Sequence, residues 1–211
     1  MGLARGFPWR GSTIRRSKDC GANMRVQPVG LLEVDDETMG GVAQFQAALT
    51  HGHPTGLAAA ELTAIAIKRL IAGVDPLELP KLLREYAESQ QHIYREEWLG
   101  DLWQRAGFPY KRAFAERGWE ECFGVLTKLE DALREPEHWR LLSSDPCEAT
   151  GGGWIAEDAL GTGLLCFLLY PDEPLKALHR ATLTSGDTDS IACLTGAFAG
   201  AACGASAFPA E

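Results

Sequence analysis

Wherever this sequence carries a hydrophobic rhythm, the rhythm is helical. In WEECFGVLTKLEDALRE, Phe123, Leu126, Leu129 and Leu133 recur at spacings of three, three and four, which lines them along one face of a helix that Pro136 ends. No segment alternates apolar and polar residues with the period of two that a half-buried strand needs. Together these observations predict an all-α fold. Leu57 to Ala72 reads as a second helix, with Leu62, Ile65, Ala66 and Leu70 on one face and Gly73 as its stop. VDDETMGGVAQFQAALT predicts a helix entered through Asp35 or Asp36, whose carboxylates suit the positive end of the helix dipole. Asp75 followed by Pro76 is a cap-then-proline start, and the helix it opens carries Leu79, Leu82, Leu83 and Tyr86 towards a core.

Two stretches are less regular. EWLGDLWQRAGFPYKRAFAERG is interrupted by Pro109, and EPEHWRLLSSDPCEATGGG, Glu135 to Gly153, has the Pro, Ser and Gly density of a long connection. Beyond it, Trp154 to Leu169 reads as a buried helix, Asp172 to Thr182 as a shorter one, and SGDTDS as the turn into the last helix.

A chain of 211 residues can bury its core as one domain. The expectation is an irregular segment over 1–16 followed by a single domain over 17–211. A net charge of −9 argues against a nucleic-acid groove, which needs clustered Lys and Arg. The small basic cluster of Arg10, Arg15, Arg16 and Lys18 reads as a solvated face or a phosphate contact. Six cysteines without paired metal spacing predict free thiols in a reducing compartment. The opening MGLARGFPWRGSTIRR lacks the apolar core of a signal peptide, and no run approaches the roughly 18 apolar residues of a membrane span, so a cytoplasmic protein is expected.

The stretch that carries chemistry is TSGDTDSIACLTGAFAGAACG, Thr184 to Gly204. Asp187 and Asp189 stand two apart at a helix entry with Ser190 beside the second carboxylate, and such oxygens suit a hard divalent cation. The plain alternative is that Asp and Ser only cap the helix. The small residues that follow, from Gly196 to Gly204, predict close approach to neighbouring helices.

SGDTDSIACLTGAFAGAACG closely resembles the C-terminal signature of the ADP-ribosylglycohydrolase family, which includes the dinitrogenase reductase-activating glycohydrolases. Three further blocks fit in the same order: SKDCGANMRVQPVGLL resembles a glycine-rich loop followed by Met-Arg, LTHGHP a Thr-His element, and GGGWIAEDALGTGLLCFLLYP the loop and helix before the signature. The four span Ser17 to Gly204.

The resemblance implies a compact all-α domain whose two-metal centre, Mg2+ or Mn2+, serves hydrolysis of the glycosidic bond between ADP-ribose and a protein side chain or other acceptor. It implies Asp187 and Asp189 as catalytic residues, and Asp187, Asp189 and Ser190 as metal ligands. Gly21, Ala22, Asn23, Met24, Arg25, His51, Gly152 and Gly153 would line the ligand, with Trp154 either beside it or in the core. His92, His138 and His179 read as surface or packing residues. The family's early Gly-Asp-Ala motif and its Thr/Ser-Asp-Asp-Thr motif are missing, and GASAFPAE looks like the start of a longer ending, so a domain trimmed at both ends is expected. Asp35 and Asp36 follow the Met-Arg block instead of preceding it, and are expected only to cap. The second reading is a non-catalytic relative that binds ADP-ribose or serves structurally.

Overall fold

The computed structural model describes residues 13–209, so residues 1–12 of the expected irregular N-terminal segment lie outside the described residues. In chain order the first helices are α1 (Gly21–Met24), α2 (Asp36–Ala48), α3 (Pro54–Ile71) and α4 (Leu79–Gln90). Two short turns, α5 (Glu96–Leu99) and α6 (Leu102–Arg105), lead to the long α7 (Lys111–Ala132). Then come α8 (Pro136–Arg140), α9 (Pro146–Thr150), α10 (Ala156–Leu169), α11 (Pro174–Thr182) and α12 (Thr188–Cys203). Short 3-10 turns at Gln27–Leu31, Pro76–Glu78 and Ala205–Ala207 complete the helical set among the described residues. Among the described residues there is no strand, only two isolated bridges, Ile14 with His51 and Asp19 with Ile155.

The all-α reading therefore holds, and two helices explain the architecture. Every residue of α3 from Pro54 to Ile67 is buried, and α10 is buried along its length except at Asp158. A helix that is apolar all round can only be central. The flanking helices are amphipathic: α7 buries Phe114, Trp119, Cys122, Leu126 and Leu129, and α4 buries Leu79, Leu83 and Ala87. Each fully buried leucine contributes about 1.5–3 kcal/mol relative to exposure, so the core rests on these facing stripes.

The helix entries show the expected chemistry. Asp35 caps α2 by accepting the Thr38 N–H at 2.7 Å, and Asp75 accepts the Leu77 N–H at 2.9 Å. Elsewhere the structure corrects the sequence. The Cys20–Arg25 loop contains the helical turn α1, and the Glu135–Gly153 connection contains α8 and α9, each started by a proline in its first turn. Helix α7 begins at Lys111, well before the regular leucine pattern, and α10 begins at Ala156, which leaves Trp154 65% exposed and not a core anchor. The small residues of α12 do not all serve close packing. A Cβ on Gly163 of α10 would lie 2.9 Å from the Leu194 Cβ, so the intimate contact is made there. Gly196 also packs closely, since a Cβ there would lie 3.1 Å from Leu178 Cδ2 of α11, while Ala197, Gly200 and Ala201 line an apolar concavity of about 340 Å³ together with Leu31 and Ile71.

One buried charge interrupts α3. Glu61 is fully buried, and its carboxylate accepts hydrogen bonds from Arg95, from Gln44 Nε2 at 2.5 Å and from the Tyr86 hydroxyl at 2.6 Å. Burial would depress the Arg95 guanidinium, but the Glu61 carboxylate beside it holds it above its ordinary value. Burial and the same carboxylate push the Tyr86 phenol far up, so it stays a donor.

Gly124 gives a simple check on α7. It is exposed in mid-helix, and a Cβ there would meet nothing within 4 Å. Gly124→Ala is expected to stabilise the protein by about 0.5–1 kcal/mol, through the smaller entropy lost on folding. Urea unfolding would test it, and a destabilised variant would show that α7 is not a continuous helix at this point.

Candidate functional site

Three segments meet at the start of α12. The first is the strip Lys18–Cys20 that leads into α1. Cys20 N–H donates to the Trp154 carbonyl at 3.1 Å, and Ala156 N–H donates to the Lys18 carbonyl at 2.8 Å, so this strip is paired with the entry to α10. Asn23, wholly buried in α1, adds a bond from Nδ2 to the Ala156 carbonyl at 2.7 Å. The second segment is the triple glycine. Gly151 and Gly153 have φ of 111° and 79°, a region that side-chain-bearing residues rarely enter, so the turn requires glycine. The third is Gly186–Ser190. Asp187 N–H donates to the Gly152 carbonyl at 2.8 Å, and a Cβ on Gly186 would fall 2.1 Å from that same oxygen.

The Asp187 carboxylate makes no capping bond to α12. Its Oδ2 accepts the Ser190 hydroxyl at 2.7 Å and the Cys20 thiol at 3.2 Å. In this it differs from Asp35 and Asp75, whose side chains are spent on helix entries. Partial burial works to lift the Asp187 carboxyl, but the neighbouring Asp189, Ser190 and Cys20 groups hold it below the ordinary range. Ser190 is almost fully buried, with its oxygen also 3.2 Å from Cys20 Sγ and 3.0 Å from Met24 Sδ. Asp189 is exposed in the first turn of α12. Burial pushes the Cys20 thiol up, so it stays protonated as a donor.

His51 stands on the other side of α1. A Cβ on Gly21 would lie 3.3 Å from its Cε1, which puts the ring against the backbone of the turn. Burial, aided by the charge of Arg25, lowers the imidazole below its ordinary value, so it is neutral at pH 7. Its Nδ1 lies 2.6 Å from the Thr50 hydroxyl. Arg25 is turned to the end of α2, where it donates to the Gln46 side chain and carbonyl at 2.8 Å each and to the Thr50 hydroxyl at 2.5 Å. Of the residues expected along the ligand, Gly21, Met24, Gly152 and Gly153 thus surround or adjoin the Asp187 cluster, His51 lies against Gly21, Ala22 and Asn23 face inward, and Arg25 braces α2.

Two contributors escaped the sequence reading. Gly186 is one, and a glycine directly before an aspartate at a helix start was the available signal. Lys18 is the other, which the sequence places only in a basic cluster. Its ammonium is held between Glu121 of α7, at 2.6 Å, and Glu157 of α10, which fixes the strip carrying Cys20. Thr55 donates to the same Glu121 oxygen at 2.9 Å. Partial burial works to raise the Glu121 carboxyl, but the bonds from Lys18 and Thr55 prevail and hold it at about 2.

The Glu121 contribution to stability is therefore complete above the ordinary carboxyl value near 4.5. It is lost as the pH falls through that value to about 2, because the unfolded chain takes up the proton first. Burial lifts Glu157 instead, so the comparison with Glu121→Gln isolates the effect. The variant is expected to be less stable than the wild type at neutral pH and to converge on it in acid. A constant difference across the range would contradict the pairing.

Among the described residues no group of three or more His, Cys, Asp and Glu side chains is arranged to hold a metal ion. Asp187, Asp189 and Ser190 offer oxygen donors of the kind that Mg2+ or Mn2+ takes, but all three come from one turn, and the Cys20 and Met24 side chains beside them present sulfur. They fit part of the shell of a hard ion and leave the rest to water or substrate.

The family model for ADP-ribosylglycohydrolase matches residues 2–211. A curated relative, ADP-ribosylhydrolase ARH3 of Mus musculus, is 28% identical over 194 residues, which cover 86% of this chain and 48% of the relative. The chain thus spans about half the length of that protein. With the match extending over nearly the whole sequence, the chain belongs to the ADP-ribosylglycohydrolase family.

Proposed function

We propose that the chain is a metal-dependent hydrolase that cleaves the glycosidic bond between ADP-ribose and a protein side chain or another acceptor. The observation that carries this reading is the Asp187 carboxylate, ionised and held by Ser190 and by the Cys20 thiol at the start of α1. Asp187, Asp189 and Ser190 would hold Mg2+ or Mn2+, which when bound supplies Lewis acidity to ribose hydroxyls and water.

The protein's own groups do the positioning. Gly151–Gly153 and the α1 turn bring backbone close to a ligand without side-chain bulk, and the neutral imidazole of His51 presents a hydrogen-bonding edge beside Gly21. Ser190, buried and bonded to Asp187, fixes the direction of that carboxylate.

Release of free ADP-ribose from ADP-ribosylated peptides, with arginine and serine linkages assayed separately in Mn2+, tests the reading. Turnover that disappears in an Asp187→Ala, Asp189→Ala double variant is the expected result; turnover retained by that variant would remove both carboxylates from the chemistry. The sulfur of Cys20 and Met24 beside Ser190 favours a second reading, a binder of ADP-ribose without turnover. Calorimetric binding of ADP-ribose that needs no metal, with no hydrolysis of either linkage, would select it.

A further inference from the structure

Of the basic cluster in the sequence, Arg10 lies outside the described residues and Lys18 is paired with Glu121 and Glu157, which leaves Arg15 and Arg16. Arg15 and Arg16, together with Arg105 at the end of α6, line a concavity of about 550 Å³ whose remaining walls are Thr13, Ile14, Ala106 and Gly107. Among the described residues no carboxylate lines it, and it shares no residue with the Asp187 cluster.

Two features make it more than a patch of surface arginines. The first is that its wall is fixed. Ile14 N–H donates to the Thr50 carbonyl at 2.9 Å, Gly52 N–H to the Ile14 carbonyl at 3.0 Å and the Thr13 hydroxyl to the Ala48 carbonyl at 2.5 Å. Arg15 Nη1 then reaches across to the Arg105 carbonyl at 2.8 Å, which joins the two sides.

The second is that the charges are unspent. Elsewhere the basic side chains are largely neutralised: Lys68 and Arg69 by Asp36, Arg84 by Glu130, Arg117 by Glu120 and Glu121. Arg15, Arg16 and Arg105 form no ion pair among the described residues. In a chain of net charge −9, three guanidiniums on one concavity repel one another and create a local positive field that an anion relieves.

We infer that this concavity is a binding site for a compact phosphate ligand, a diphosphate group. Guanidinium forks match phosphate oxygens two at a time, and three of them match the several charges of a diphosphate, which a single carboxylate lacks. A nucleic acid is disfavoured, since an extended phosphate backbone needs a continuous basic track and the chain carries a net charge of −9. The site stands independently of the hydrolase reading.

Calorimetric titration of the 211-residue chain with inorganic pyrophosphate, at low and at high ionic strength, tests the inference. Among the described residues the side chains of Arg16 and Arg105 make no hydrogen bond, so Arg16→Gln and Arg105→Gln remove charge without removing a bond seen there, and thermal unfolding checks that both remain folded. One saturable event is expected, weakened by salt and about tenfold weaker in each variant. It should be unchanged in Arg112→Gln, whose arginine is paired with Glu116, and in Asp187→Asn. ADP titrated beside pyrophosphate separates the sources: tighter binding of ADP that still depends on Arg16 and Arg105 identifies a nucleotide diphosphate, and equal binding a bare one. Absence of binding, wild-type affinity in both arginine variants, or loss in Asp187→Asn would overturn the assignment.

Discussion

Replacing Arg95 by Ala is expected to cost the fold about 3–5 kcal/mol, which for a chain of this size lowers Tm by roughly 6–20 °C. The arginine is 5% exposed at its side chain and its partner Glu61 is 0% exposed, so the substitution leaves a carboxylate in the core of α3 with only Gln44 and Tyr86 as donors. The cost comes from the uncompensated charge more than from the lost contact. Arg95 also donates to the Glu37 carbonyl at 3.2 Å and the Gln90 side chain at 2.9 Å, so it ties the entry of α2 and the end of α4 to α3. A second substitution separates the two contributions: Glu61→Leu added to Arg95→Ala removes the stranded charge and should recover a large part of the loss. Denaturant unfolding of the single and double variants decides the matter. An Arg95→Ala protein as stable as the wild type would mean that Glu61 is not buried as a charge.

The second large effect is expected at Gly186. Adding a Cβ there puts it 2.1 Å from the Gly152 oxygen, 2.8 Å from the Gly152 carbonyl carbon and 2.9 Å from the Cys147 sulfur. Two of the three obstacles are backbone, so a rotamer change cannot relieve them and one strand of the turn must move. Gly186→Ala should therefore destabilise by about 1–3 kcal/mol. It should also break the bond from Asp187 N–H to the Gly152 carbonyl, which sets the position of the Asp187 carboxylate. The consequence is a variant that stays folded at low temperature and loses response to Mn2+ and ADP-ribose. Gly124→Ala, in open space, is the matched control. Wild-type stability and response in Gly186→Ala would show that the 151–153 turn and the α12 entry are not in register as described.

Much of the helical frame was legible because it depends on local rules. The burial of Leu62, Ile65, Ala66 and Leu70, the stop at Gly73 and the Asp35 cap are all set within a few residues and fall where the sequence puts them, but α3 starts earlier, at Pro54, and is buried on every side to Ile67, where the sequence gives one apolar face. The start of α7 was hidden because Lys111, Arg112, Glu116 and Arg117 turn to solvent or to neighbouring carboxylates, so its first turns lack a strong apolar period. Helix α9 was missed although Asp145–Pro146 repeats the cap-then-proline signal of Asp75–Pro76; Asp145 accepts the Cys147 N–H at 3.0 Å. The Glu61–Arg95 pair lies 34 residues apart, and nothing in a helical pattern distinguishes a glutamate that will be buried from one that will face water. At the candidate site the sequence pointed to Asp187, Asp189 and Ser190. That Asp187 turns to Cys20, 167 residues away, is a property of the fold alone.

The most direct measurement is thermal unfolding of the intact chain with Mn2+ and ADP-ribose, separately and together, repeated on an Asp187→Asn, Asp189→Asn variant. The account predicts little change with either alone and a clear rise with both; at a hundredfold excess over Kd the stabilisation is about 2.7 kcal/mol, or roughly 5–11 °C. The rise should vanish in the double variant. No rise in the wild type, or an equal rise without the two carboxylates, would contradict the assignment of Asp187 and Asp189 to a metal-dependent ADP-ribose site.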